Sequence, residues 1–325
     1  MMKRREFITL LGGAAAAWPL AARAQQAMPV VGFLNPASPT ELASRVTAFH
    51  EGLRQVGYVE GQNVVIEYRW AGGESRRVPD LAADLVRRRV AVIAATGSTG
   101  AVVRMSTSQI PIVFTMGEDP VETGLVASFN RPGGNVTGIT QFSGPIVSKR
   151  IGLLRDVVPG ANLIAVLVDP SFRTSELELQ IASEAIRTIG WRVTVLKATG
   201  AGDLDTAFEP VMRERPDAVL VTTNPVFESQ RDQIVALAAR YAVPAIYGYR
   251  EYPAAGGLMS YGASITDAYR QAGMYTGRVL KGERPADMPI LLPTKFELVI
   301  NMETVKTLGL AIPPGLLASA DEVIE

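Results

Sequence analysis

Nine short runs rich in β-formers punctuate the chain, and between most of them lies a segment whose apolar residues recur at helical spacing. The runs cover 30–34, 64–70, 91–96, 112–116, 136–140, 163–168, 192–196, 218–222 and 245–249. The helical segments cover 40–56, 79–88, 148–157, 175–189, 204–213 and 229–241. Strands that are apolar on both faces and alternate with helices predict parallel sheets covered on both sides. The fold class is therefore α/β. One such sheet rarely absorbs about ten strands, so two lobes are expected, each with its own core.

Two glycine- and proline-rich seams suggest where the lobes divide, Arg131 to Asn135 and Pro253 to Gly257. After the first seam, 136–140 reads as a strand crossing out of the first lobe. After the second, a long helix over 267–281 is placed back on the first lobe. The β-rich run 295–300 is read as a third crossing. The expected division is 28–141 plus 258–288 for the first lobe and 142–257 plus 289–325 for the second, joined by a three-crossing hinge. The halves share a βα rhythm without a residue-level repeat.

The first 24 residues read as an export signal of the twin-arginine type. Arg4 and Arg5 precede Phe7 and Ile8, an apolar stretch runs from Ile8 to Leu20, and Ala22-Arg23-Ala24 offers a cleavage site. Gly12, Gly13 and Pro19 interrupt the apolar stretch, which falls short of the roughly 20 residues a spanning helix needs. Cleavage is expected near Gln25, with the mature chain released into the periplasm and no stable membrane insertion. Losing residues 1–24 removes four basic residues and one acidic residue from 32 of each, leaving a net charge of about −3. Without a basic block, nucleic acid is excluded as a partner. The chain contains no cysteine, so its stability is expected to rest on its core rather than on disulfides.

The residues that common chemistries require are missing. His50 is the only histidine; it lies in the first predicted helix beside Glu51 and is expected to face solvent. With no cysteine either, a zinc site is disfavoured. No Gly-x-Ser-x-Gly elbow, phosphate-binding loop or Gly-x-Gly-x-x-Gly fingerprint occurs. No cofactor is expected, and Gly97-Ser98-Thr99-Gly100 is too short to suggest a nucleotide.

Ligands of open parallel sheets bind beyond the carboxyl ends of the strands. In this chain those ends carry small polar residues and glycines: Asn35 to Ser38, Thr96 to Thr99, Thr115 to Asp119, Asp169 to Ser171, Thr222 to Asn224, and Tyr247 to Arg250. Ser38, Ser98 and Ser171 each precede a predicted helix and are candidate caps that leave backbone N–H groups for an anion. Phe227, Tyr247, Tyr249, Tyr252 and Tyr261 add aromatic faces suited to a small amphiphilic molecule. Arg250 with Glu251 offers a pair for a zwitterion, and also an ordinary surface ion pair.

Several motifs together carry a resemblance: Val-Gly-Phe-Leu-Asn-Pro from Val31, Phe-Thr-Met-Gly-Glu-Asp-Pro-Val from Phe114, Arg-Pro-Gly-Gly-Asn-Val-Thr-Gly-Ile from Arg131, Gly-Gly-Leu-Met-Ser-Tyr-Gly from Gly256, Pro-Thr-Lys-Phe-Glu-Leu-Val-Ile-Asn from Pro293 and Leu-Gly-Leu-Ala-Ile-Pro-Pro from Leu308. Over 29–325 the chain resembles the ABC-transporter substrate-binding proteins that include TrpX-like receptors. The resemblance implies a type I periplasmic binding protein fold, two Rossmann-like lobes with ligand between them. It implies pocket residues at Asn35, Ser38, Gly97, Ser98, Met116, Gly117, Asp119, Asp169, Ser171, Asn224, Tyr247 and Tyr261. The expected ligand is an amino acid or an aromatic or branched carboxylate, and the expected partners are a permease and a separate ATPase subunit. A monomer that is not an enzyme is expected. A binding module serving a sensor, or an exported enzyme using a carboxylate pair in the same cleft, are the alternative readings.

Overall fold

The computed structural model describes residues 28–325 apart from 41, 142, 143 and 145; the expected export signal lies outside the described residues. The first lobe contains β1 (Val30–Asn35), α1 (Ala43–Gln55), β2 (Val65–Trp70), α2 (Val78–Arg87), β3 (Val92–Thr96), α3 (Gly100–Ser106), β4 (Ile112–Met116) and β5 (Val136–Thr140). The second contains α4 (Ile146–Val157), β6 (Leu163–Val168), α5 (Arg173–Thr188), β7 (Arg192–Lys197), α6 (Ala201–Glu214), β8 (Ala218–Val221), α7 (Pro225–Ser229), α8 (Arg231–Arg240), β9 (Ala245–Tyr247), α9 (Glu251–Ala254) and β10 (Met259–Ala263). Helix α10 (Ile265–Leu280) follows, then β11 (Phe296–Asn301), α11 (Met302–Thr307), α12 (Pro314–Ala318) and β12 (Glu322–Ile324).

The first sheet has strand order β2-β1-β3-β4-β5 and is parallel throughout. The second has order β12-β11-β10-β9-β8-β6-β7 and is parallel except for the β10–β11 pair. Side chains of a strand alternate between faces, and here both faces are covered. On β3, Val92 and Ala94 join the core shared with α1 and α10, while Ile93 and Ala95 join the core shared with α2. That two-sided burial is why the strands are apolar without alternation.

The first hinge crossing lies at the expected strand, and the other two fall at different places. Strand β5 is the last strand of the first sheet in its own order, and the chain leaves this lobe after it. Strand β10 pairs with β9 and β11 in the second sheet, so the expected first-lobe segment 258–288 is divided. The seam at 253–257 is the end of α9 and the turn leading into β10, not a crossing. The crossing is Ser264, whose hydroxyl caps α10 by accepting from Asp267 N at 3.3 Å. Ile290 and Leu291 still belong to the first lobe: Ile290 N donates to Phe129 O at 2.7 Å, and Leu291 forms an isolated parallel bridge with Ile139. The third crossing therefore precedes β11, and the run read as that crossing is itself a second-sheet strand.

Helix α10 returns to the first lobe because its backbone fits against that of α1. A Cβ on Gly273 would lie 2.0 Å from Phe49 O, and one on Gly52 would lie 1.8 Å from Arg270 O. At Gly277, one turn on, the nearest atom is instead in the Val56 side chain, 2.3 Å from a Cβ position. Alanine would gain about 0.5–1 kcal/mol of helix propensity, but the backbone it meets cannot swing aside as a side chain would. Overpacking of this kind costs about 1–3 kcal/mol or more. Gly273→Ala is therefore expected to lower the unfolding free energy by about 2 kcal/mol net of propensity, measured by urea denaturation.

Candidate interlobe ligand site

The carboxyl ends of the two sheets face each other, and the segments that follow the strands make contact across the gap. Arg45 on α1 pairs with Glu228 on α7 and, at 3.2 Å, with Glu251 at the start of α9. Arg173 on α5 lies 3.4 Å from Glu122, which follows β4. A Cβ on Gly117, just after β4, would sit 3.9 Å from the hydroxyl oxygen of Tyr249, which follows β9. Tyr249 packs against cores of both lobes.

Most of the expected pocket residues serve the protein itself. Asn35 is buried; its amide donates to Thr96 Oγ1 at 2.6 Å and to the Tyr269 hydroxyl at 3.1 Å, and its oxygen accepts from Ala37 N at 2.7 Å. Asn224 caps α7 by accepting from Phe227 N at 2.7 Å. Asp119 accepts from the backbone of Val121 and Glu122, closing a turn. Asp169 accepts from Ser171 N and Oγ in the same way. Ser38 Oγ lies 3.1 Å from Thr40 Oγ1.

The capping expectation for the three serines is corrected. Leu42, Thr99 and Phe172 occupy the N-cap positions of α1, α3 and α5, and none makes a side-chain cap bond. Ser38 lies upstream of its helix, Ser98 sits inside the 3-10 turn 97–99, and Ser171 is held by Asp169. Gly97 opens that turn at φ +64°, and its missing side chain lets Pro36 approach to 3.2 Å of a Cβ position. The loops after β1 and β3 are thereby held together.

Met116 belongs to the first-lobe core and Tyr247 to the second-lobe core, where Tyr247 stacks on Tyr252 at 4.4 Å. Tyr261 packs beside Phe296 on the other face of the second sheet. Gly117 stands exposed opposite Tyr249 of the other lobe. The suggested Arg250–Glu251 pair is also corrected. Arg250 pairs with Glu322 and lies 3.8 Å from Glu297, while Glu251 reaches across to Arg45. His50, expected to face solvent, is half-buried with Nε2 2.6 Å from the Tyr68 hydroxyl; burial is the main cause that lowers its pKa.

Two charged groupings escaped sequence reasoning. At the interlobe contact, burial works against the Arg45 charge, but Glu228, Tyr269 and Glu251 hold its pKa above the ordinary value. Burial, with Glu228 and Glu178 close by, raises the Tyr249 hydroxyl. Glu118, in the loop with Gly117, is half-buried and raised by burial alone. Behind the second-lobe wall, Arg150 is buried with Nη1 3.5 Å from Glu178, and its Nε donates to Tyr261 O at 2.7 Å. Glu178 accepts from Thr223 N at 2.9 Å and from its hydroxyl, fixing the loop that leads to Asn224. Burial raises the Glu178 carboxyl, with Arg150 opposing. Gly248 and Gly262 leave the guanidinium its space, since Cβ atoms there would lie 3.0 and 3.5 Å from Nη2.

A family model described as ABC transporter substrate binding protein matches residues 31–324. The chain belongs to this family. The ABC transporter substrate-binding proteins are solute-binding proteins rather than enzymes, and that membership decides against the enzyme reading. A curated relative, a tyrosine-binding protein from Clostridioides difficile (strain R20291), is 25% identical over 263 residues, covering 81% of this chain and 75% of that protein. The solved ABC domain in complex with L-Trp from Streptococcus pneumonia superposes with a TM-score of 0.82 at 23% identity, over 91% of this chain and 99% of that one. The ligand-free, open structure of a substrate binding protein with adhesive properties from Clostridium difficile gives a TM-score of 0.73 at 22% identity over the same shares. The substrate-binding protein described here has the type I periplasmic binding protein fold expected from its sequence. Among the described residues, no helix is long and apolar enough to cross a membrane.

Because Asn35 ties β1 to β3 and α10, its loss leaves buried polar partners unsatisfied. Asn35→Ala is expected to destabilise the protein by about 1–3 kcal/mol, visible as a lowered midpoint in chemical denaturation, so any weakened binding in that variant reports on the fold as well as on the ligand.

Proposed function

We propose that this substrate-binding protein is the extracytoplasmic receptor of an importer, closing its lobes on a small amphiphilic molecule, an amino acid or an aromatic or branched carboxylate. The observation that carries the reading is the set of contacts between segments following strand ends: Arg45 with Glu228 and Glu251, and Gly117 opposite Tyr249. A ligand in that gap touches both lobes, and only contacts made to both favour the closed form. Tyr249 supplies an aromatic face and a hydroxyl, while Gly117 keeps the opposing wall open. Ser38, Gly97, Ser98 and Gly117 are the loop positions proposed to line the first-lobe side.

The closed form is what a membrane permease would read, with transport energy supplied by a separate ATPase. The tyrosine and tryptophan in the descriptions of the relatives support an amino acid as the leading candidate. Purified protein, never refolded, should release a bound small molecule when native mass spectra are compared before and after mild denaturation. An amino acid or aromatic acid in the released fraction is the expected result. An empty protein that also shows no thermal shift across amino acids and aromatic acids would overturn the reading.

A further inference from the structure

Strand β2 is an edge of the first sheet, and among the described residues it pairs with β1 alone. Val65 N donates to Pro29 O and Ala71 N to Asn35 O, each at 3.0 Å. Peptide groups alternate in direction along a strand, so the N–H and C=O groups of Ile66, Tyr68 and Trp70 point away from β1. Tyr68 O accepts from Arg69 Nη1 at 2.9 Å and keeps its second lone pair. An open edge of this kind is a template for another strand.

The side chains of β2 match a copy of themselves. On the α1 face, the Tyr68 and Trp70 rings lie 6.1 Å apart with planes 4° from parallel, half-buried against the core shared with α1. The Tyr68 hydroxyl is fixed 2.6 Å from His50 Nε2 and 3.2 Å from Glu60 Oε2. On the α2 face, Glu67 and Arg69 carry opposite charges, Arg69 reaching Asp84 at 2.6 Å and Glu67 reaching Arg88 at 3.3 Å. Two antiparallel copies set about a two-fold axis at Tyr68 bring the outward groups of Ile66 to those of Trp70 and place Glu67 opposite Arg69 on both sides of the axis. The neighbouring registers set Glu67 against Glu67 or Arg69 against Arg69, and like charges directly opposite are destabilising. Charge therefore selects one register. The edge strand β7 of the second sheet has no such match: pairing about its exposed Val195 sets Arg192 opposite Ala198 and Lys197 opposite Val193.

We propose that two copies of this protein pair through β2, joining their five-stranded first sheets into one continuous two-fold symmetric sheet. The paired state replaces the monomer expected from the sequence. It uses none of the residues that meet across the interlobe gap, so it stands or falls apart from the receptor reading.

Sedimentation equilibrium on the purified protein should show a monomer-dimer equilibrium in the micromolar range. Glu67→Arg sets arginine against arginine on both sides of the axis and should weaken the dimer about 10-fold or more. Adding Arg69→Glu restores opposite charges and should recover most of that loss. Asp84 keeps Arg87 and Arg88 as partners in both variants, and circular dichroism melts check that each folds. Because the chain has no cysteine, Tyr68→Cys supplies a single thiol per copy, at the axis where the Cα atoms of a hydrogen-bonded pair lie about 5.5 Å apart, within disulfide reach. Under mild oxidation it should cross-link far faster than Val195→Cys on the other edge. A dimer indifferent to Glu67→Arg, or equal cross-linking by the two thiols, would overturn the pairing. So would a protein still monomeric at about 100 μM, a result that would leave the edge to a strand of a different protein.

Discussion

Helix α10 leaves the second sheet at Ser264 and lies on α1 of the first lobe so closely that neither Gly52 nor Gly273 has room for a methyl group. Much of the cleft's geometry depends on this contact. It anchors one of the three hinge strands and places Tyr269 where the Asn35 amide reaches it. It also fixes α1, and with it Arg45, against the first-lobe core. A looser fit at the glycines would let α1 shift relative to the hinge, and the guanidinium would lose its approach to the other lobe.

With that frame in place, the two lobes differ in how they prepare the gap. The proposed first-lobe wall, Gly97 and Gly117, is short in side chains, and its loops are stitched to one another by Asn35 and Thr96. The second offers aromatic and charged groups, Tyr249, Glu228 and Glu251, on segments braced from behind by Arg150, Glu178 and Thr223. A buried ion pair is not by itself a source of stability. In this position it holds the Thr223 to Asn224 loop in one conformation, which is what a site built on loops requires.

The α/β class and the two-lobe plan were legible because two-sided burial writes near-continuous apolar strands into the sequence. The hinge was legible in number and in the place of its first crossing after β5, not in the places of the other two. Strand β10, Met-Ser-Tyr-Gly-Ala, is short and carries a glycine forced by the backbone of Gly248, so it does not announce its sheet. The strand-end loops were recognisable by their small polar residues, but their allegiance was not. Asn35 finds its partner 234 positions away in Tyr269, and Asn224, Asp119 and Asp169 satisfy their own turns. Arg45 was not singled out within the first predicted helix, and its partner Glu228 is 183 positions distant. Adjacency in sequence suggested Arg250 for Glu251; folding turned the two side chains toward different partners.

Closure of the proposed receptor's lobes on a ligand held between them would contract the whole molecule. Small-angle X-ray scattering on the protein stripped of ligand, then resupplied with the molecule released from it, tests this most directly. A smaller radius of gyration is expected in the ligand-bound state, with the contraction lost when Arg45, Glu228 and Glu251 are replaced together by their neutral counterparts. A bound ligand that leaves the radius of gyration of the native protein unchanged would contradict it.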